Sequence, residues 1–167
     1  PPHIGHVRIV EEALKIKDVE KVIIMPTFLN PFKSGSHASS ELRFKWIQGI
    51  FENNENVEVS RFEVNLQKKV PSIESVEHLL HKYHKIFLII GADNLKSLHR
   101  WERYKELESL VTFIVATRDD IKVPNNFLQL DVQEDISSSQ FRKTLESSML
   151  CDRYKEDIIN FYKENNG

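Results

Sequence analysis

The sequence predicts an α/β fold, a doubly wound parallel sheet with helices on both faces, and three observations carry that prediction. Residues 21–27, 85–90 and 111–117 are short apolar runs without the strict alternation of a half-exposed strand, as strands covered on both faces read. Between them lie stretches whose apolar residues recur at helical spacing. The order is strand then helix throughout, the pattern of parallel strands joined by crossover helices.

Length and composition set the bounds. A chain of 167 residues has the size of one domain around one core, and 1–167 is read as one domain. Apolar residues at 40%, charged residues at 29% and a net charge of −2 suit a globular protein and lack the basic balance of a nucleic-acid binder. A small anionic ligand would therefore have to be held by local groups. Cys151, the only cysteine, excludes an internal disulfide and a multi-cysteine metal cluster, and points to a reducing cytoplasm. No apolar run reaches about 18 residues and no basic-then-apolar leader opens the chain, so neither membrane association nor export is expected.

Taken in order, Val7, Val10, Ala13 and Leu14 form the apolar stripe of a first helix that ends in Lys15 and Lys17. The run 21–27 is a strand that Pro26 closes. Residues 30–40 are loop and carry Lys33; Ser39 or Ser40 then caps a helix to about Phe51, with Leu42, Trp46 and Ile50 on one stripe. Residues 57–64 read as a strand, 65–71 as a polar loop, and Val76, Leu79, Leu80 and Tyr83 as the face of a third helix. The run 85–90 is the strongest strand, with Gly91-Ala92-Asp93 at its carboxyl end, where open α/β sheets bind ligands. A broken helical region over 94–107, a strand at 111–117 and a weaker strand at 127–130 follow. Ser137 and Gln140, three apart as in a capping box, open the next helix, and 154–162 is a final amphipathic helix. The chain begins at the loop that would follow a first strand, so the sheet is expected to lack its leading strand here.

The chemistry concentrates at two helix starts. Unpaired amides and the positive end of the helix dipole favour phosphate there. In Pro1-Pro2-His3-Ile4-Gly5-His6, His3 and His6 can donate to charge that develops on a phosphorus centre. In Ser137-Ser138-Ser139-Gln140-Phe141-Arg142, three serines offer hydroxyls and amides, and Arg142 can fork two phosphate oxygens. Asp93 is placed to accept from ribose hydroxyls. Taken alone, each motif could equally be helix capping beside a solvated charge. His-x-x-His suggests a metal only with a third ligand, which the spacing does not supply, so no metal is assigned. Trp46 is placed in the core; Trp101, between Arg100 and Glu102, stays open between core and ligand.

His-Ile-Gly-His at 3–6, followed about 130 residues later by Ile-Ser-Ser-Ser-x-x-Arg at 136–142, resembles the nucleotidyltransferase superfamily with its H/T-x-G-H and I-S-S-T-x-x-R signatures. Pro31-Phe32-Lys33, Ala38-Ser39, Arg43, Gly91-Ala92-Asp93-Asn94-Leu95 and Trp101 narrow the resemblance to the bacterial nicotinate-nucleotide adenylyltransferases. It implies a Rossmann-like sheet of the adenylyltransferase type. The implied reaction joins the 5′-phosphate of nicotinate mononucleotide to the α-phosphorus of ATP, with Mg2+ accompanying ATP, and gives deamido-NAD and pyrophosphate. Carried over by position, His3, His6 and Arg142 are the catalytic residues. ATP would be held by these three together with Gly91, Asp93, Ser138 and Ser139, and nicotinate mononucleotide by Lys33, Arg43, Ser72, Trp101 and Arg118. The family's Gly-Gly-Ser-Phe lead-in is not in this sequence, Ser139 replaces a threonine, and Val70-Pro71-Ser72-Ile73-Glu74-Ser75 stands where S-Y-T-I-D-T is common. The alternatives are a phosphopantetheine adenylyltransferase, against which Gly91-Ala92-Asp93 and Trp101 argue, and a non-catalytic nucleotide-binding module of the same fold. Oligomeric state is left open, a homo-oligomer included.

Overall fold

Parallel strands, all but one of the described strands followed by a helix, form the scaffold in a computed structural model that describes residues 1–29, 37–117, 121–132 and 136–165. Helix α1 (Ile4–Ala13) leads to β1 (Val22–Ile24), α2 (Ser40–Phe51) and β2 (Val57–Val59). After α3 (Phe62–Leu66) and α4 (Ser72–Leu80) come β3 (Ile86–Gly91), α5 (Tyr104–Leu110) and β4 (Val111–Ala116). The chain finishes with β5 (Leu128–Leu130), α6 (Ser138–Thr144) and α7 (Lys155–Asn165). Two short 3-10 turns, Ala92–Asn94 and Leu98–Arg100, account for the broken helical region expected from the sequence.

Among the described residues the strands form two sheets. One is β1 beside β2, with Val22 opposite Val57 and Ile24 opposite Val59; the other has the order β3-β4-β5, and every pairing in both is parallel. β4 shows why its sequence is apolar throughout. Phe113 and Val115 point into a cluster with Ile73, Val76 and Leu107 from α4 and α5, while Ile114 and Ala116 join Ala13 of α1 and Leu130 on the opposite face. Each face of that sheet thus carries helices, as the continuous run predicts. A third cluster joins α2, α6 and α7 through Trp46, Phe141, Ile158 and Tyr162. Trp46 is fully buried there, as expected, and its indole N–H donates to Asp157 Oδ2 at 2.8 Å.

Two expectations are corrected. The strand expected over 57–64 stops at Val59, and 62–66 is helical. Ser60 Oγ accepts the Phe62 N–H at 3.2 Å, the Phe62 ring stacks on His78 at 3.9 Å, and Glu63 is buried, so local capping and tertiary packing override the strand propensity. The strand expected over 21–27 pairs only through Val22–Ile24, because Pro26 cannot donate to a ladder.

Candidate active site

The start of α1 is shaped by His3, Gly5 and His6. His3 is the N-cap with extended backbone and is 6% exposed. Its carbonyl accepts the His6 N–H at 2.9 Å, and its own N–H donates to His6 Nδ1 at 3.2 Å. With Nδ1 occupied as an acceptor, neutral His6 carries its proton on Nε2, outward from the helix. The two imidazoles lie 3.8 Å apart at 35°. Gly5 makes this arrangement possible, since a Cβ at that position would stand 3.0 Å from His3 Nδ1 and 3.1 Å from its Cε1.

α6 meets this helix start directly. Ser137 caps α6 by accepting the Gln140 N–H at 3.0 Å. Ser138 Oγ donates to the Pro1 carbonyl at 2.8 Å, a contact across 137 positions of sequence that ties the two motifs together. Arg142 folds back along the same helix and donates through Nη2 to Ser139 Oγ at 2.9 Å.

A cavity of about 450 Å³ opens between the two sheets, lined by Pro1, His3, His6, Arg43, Gly91 and Ser138 on its polar side and by β1 and β3 residues on its apolar side. Arg43, on α2, donates through Nε to the Ala38 carbonyl at 3.2 Å and through Nη2 to the Thr27 and Phe28 carbonyls at 2.6 and 3.0 Å. It staples the segment after β1 to the start of α2, with one face left on the cavity. Burial lowers its pKa from the ordinary guanidinium value, while Tyr162 and Glu63 pull it up.

The other expected residues sit apart from this cavity wall. Asp93 is exposed in the turn at the carboxyl end of β3, where Asn94 Nδ2 donates to Asp93 Oδ1 at 3.3 Å and to the Gly91 carbonyl at 3.2 Å. Ser72 is the first residue of α4. Trp101 is half-buried and packs against the cluster beneath α4 and α5. Lys33 and Arg118 lie outside the described residues.

Sequence reasoning passed over one polar pair. Glu63 of α3 and Ser75 of α4 are both buried, and Ser75 Oγ donates to Glu63 Oε1 at 2.7 Å. Glu63 Oε2 has no hydrogen-bond partner among the described residues. Burial raises the Glu63 pKa above the usual carboxylate range, against the Ser75 hydrogen bond and the Arg43 charge, which lower it. Ser60 and Glu63, spaced three apart as at a helix start, were the available signal.

Residues 1–144 match the cytidylyltransferase-like family. A protein of Sulfurimonas denitrificans named as a nicotinate-nucleotide adenylyltransferase is 54% identical over 98% of this chain and 90% of its own length. The chain belongs to that family. Family members named likewise from Campylobacter jejuni and a Nitratiruptor strain are 42% and 44% identical, each over 98% of this chain and 92% and 93% of their own lengths. The fold is similar to that of the Plasmodium falciparum nicotinic acid mononucleotide adenylyltransferase solved with NaAD, with a TM-score of 0.69, 16% identity, and 99% of this chain and 91% of that one covered.

Proposed function

We propose that the full-length protein transfers the adenylyl group of Mg-ATP to the phosphate of nicotinate mononucleotide, releasing pyrophosphate and forming deamido-NAD. The observation that carries this reading is the Ser138–Pro1 hydrogen bond, which sets the serine-arginine motif against the paired histidines at the mouth of one cavity. The nicotinate-nucleotide adenylyltransferases that align over almost the whole chain support the choice of acceptor.

The reaction is an in-line displacement. A phosphate oxygen of the mononucleotide bonds to the α-phosphorus as the bond from that phosphorus to the bridging oxygen of the β-phosphate breaks, and pyrophosphate leaves with the electron pair. No protein nucleophile is needed; the chain supplies position and charge. His6, with Nδ1 engaged by the His3 amide, offers Nε2–H to the oxygens on which charge accumulates. His3, buried beside it, fixes its orientation and presents its own ring to the same phosphates. Arg142, Ser138 and Ser139 hold the leaving phosphates. Gly91 and Asp93 take the adenosine ribose at the carboxyl end of β3. Ser72 and Trp101 receive the nicotinate ring, with Arg43, Lys33 and Arg118 as phosphate contacts of the mononucleotide. Mg2+ enters as part of Mg-ATP.

The same reading treats the two sheets as halves of one Rossmann-like, doubly wound sheet within a single cytoplasmic domain. Its support is that residues of β1 and of β3 line the same apolar cavity. Among the described residues no helix is long and apolar enough to cross a membrane. Pyrophosphate release from Mg-ATP, measured with nicotinate mononucleotide, its amide counterpart and phosphopantetheine, tests the function. Release with nicotinate mononucleotide is expected. Release only with phosphopantetheine would move the chain to the other adenylyltransferase, and the absence of release with all three acceptors would leave a non-catalytic module.

A further inference from the structure

The chain turns from Trp101 into α5 through a residue whose side chain disfavours the conformation it adopts. Arg103, the N-cap of α5, has φ 50° and ψ 39°, in the left-handed region, where a Cβ is costly and glycine is the usual occupant. Such a backbone persists when its surroundings hold it.

Those surroundings are two carboxylates from two helices. Arg103 Nη2 and Nη1 donate to Glu77 of α4 at 2.6 Å (Oε1) and 3.2 Å (Oε2), a two-armed fork between residues 26 apart in sequence. Its Nε donates to Glu106 Oε2 of α5 at 2.7 Å, and Nη2 also reaches Glu106 Oε1. Isolated surface ion pairs contribute little; a forked arginine within a network is the geometry in which they count.

The fork spans the two segments that carry the proposed contacts of the nicotinate ring. α4 begins at Ser72 and holds Glu77, while Trp101 stands two residues before Arg103 and its carbonyl accepts the Tyr104 N–H at 3.1 Å. Beneath the fork, Trp101 packs against the cluster that contains Ile73 and Val76 of α4 and Leu107 of α5. Ile73 adjoins Ser72, and Val76 adjoins Glu77. Apolar burial is non-directional, whereas a fork fixes both distance and angle.

We propose that Arg103 is a positioning residue for nicotinate mononucleotide, setting the Trp101 turn against the start of α4 through its fork to Glu77. This rests on the reading of Ser72 and Trp101 as contacts of the nicotinate ring. The effect passes through those two residues and leaves the histidine and serine-arginine motifs of α1 and α6 as they are.

Steady-state kinetics of the full-length protein with Mg-ATP and nicotinate mononucleotide test this. Arg103→Ala removes the fork and keeps a Cβ at the left-handed position. It should raise the KM for nicotinate mononucleotide about threefold, within the range of a surface ion-pair network, with kcat and the KM for ATP at wild-type values. Glu77→Gln should do the same from the other helix, and the double variant should lose no more than either single one. An unchanged KM for nicotinate mononucleotide in Arg103→Ala, a fall in kcat or a rise in both KM values together, or single effects that multiply in the double variant would overturn the proposal. Trp101→Ala separates the layers. If it raises the KM for nicotinate mononucleotide while Arg103→Ala does not, only this inference fails; if it leaves that KM unchanged, the placement of the ring fails and this inference with it.

Discussion

The proposed phosphate end and the proposed nicotinate end of the site are built in different ways. At the phosphate end, elements from both ends of the chain are locked together by the His3–His6 hydrogen bond, the Ser138–Pro1 hydrogen bond and the close fit of Gly5 under His3. At the proposed nicotinate end, Ser72 opens α4 and Trp101 follows the Leu98–Arg100 turn, on separate elements. Charge stabilisation needs donors fixed before the reaction, whereas recognition of a ring can be completed when the ligand arrives. Substitutions at the first end should therefore appear in kcat, and those at the second in KM.

The largest expected effect is that of His6→Ala, which removes a preorganised donor. It should lower kcat about 10²-fold or more while Tm changes little, as thermal unfolding and steady-state rates will show. A large fall in Tm with a modest fall in rate would make His6 a structural cap. Gly5→Ala comes next. Its Cβ would press on the His3 ring, so kcat should fall about tenfold or more although no reacting group is removed. Rates equal to wild type would show that the ring has room to shift.

Smaller effects lie at the other end. Ser72→Ala should raise the KM for nicotinate mononucleotide about tenfold, as for a lost hydrogen bond to a carboxylate, and leave the KM for ATP unchanged. Equal changes in both would blur the division between the two ends. Smallest is the pH response of the buried pair behind them. Because burial raises the Glu63 pKa, its favourable contribution is complete below the ordinary value near 4.3 and is lost as pH rises through the higher folded value. Glu63→Gln cannot ionise and can still accept from Ser75, so its Tm relative to wild type should climb as pH rises above the ordinary carboxylate value toward the higher folded one. A difference that stays flat would mean that Glu63 ionises no differently in the folded chain.

Sequence patterning revealed what depends on neighbours along the chain. The continuous apolar runs of β3 and β4 announced strands covered on both faces, and Ser39 and Ser137 announced helix starts that the structure caps with their hydroxyls. The two motifs proposed for phosphate were visible as well, but not the Pro1 carbonyl that joins them, since a backbone acceptor leaves no compositional trace. Patterning failed over 57–64, where Glu63 turns inward to Ser75, and at Tyr162, whose ring on α7 packs edge-on to Phe141 of α6. Such pairings join residues far apart in sequence, and spacing carries no record of them.

The account depends most on the two motifs acting as one phosphate-transfer centre. A double-mutant cycle of His6→Ala and Arg142→Ala, read in kcat/KM for adenylyl transfer from Mg-ATP to nicotinate mononucleotide, tests this directly. The double variant should lose far less than the product of the two single losses, with a coupling of about 1 kcal/mol or more. Single losses that simply multiply would show that the histidine and arginine arms act independently.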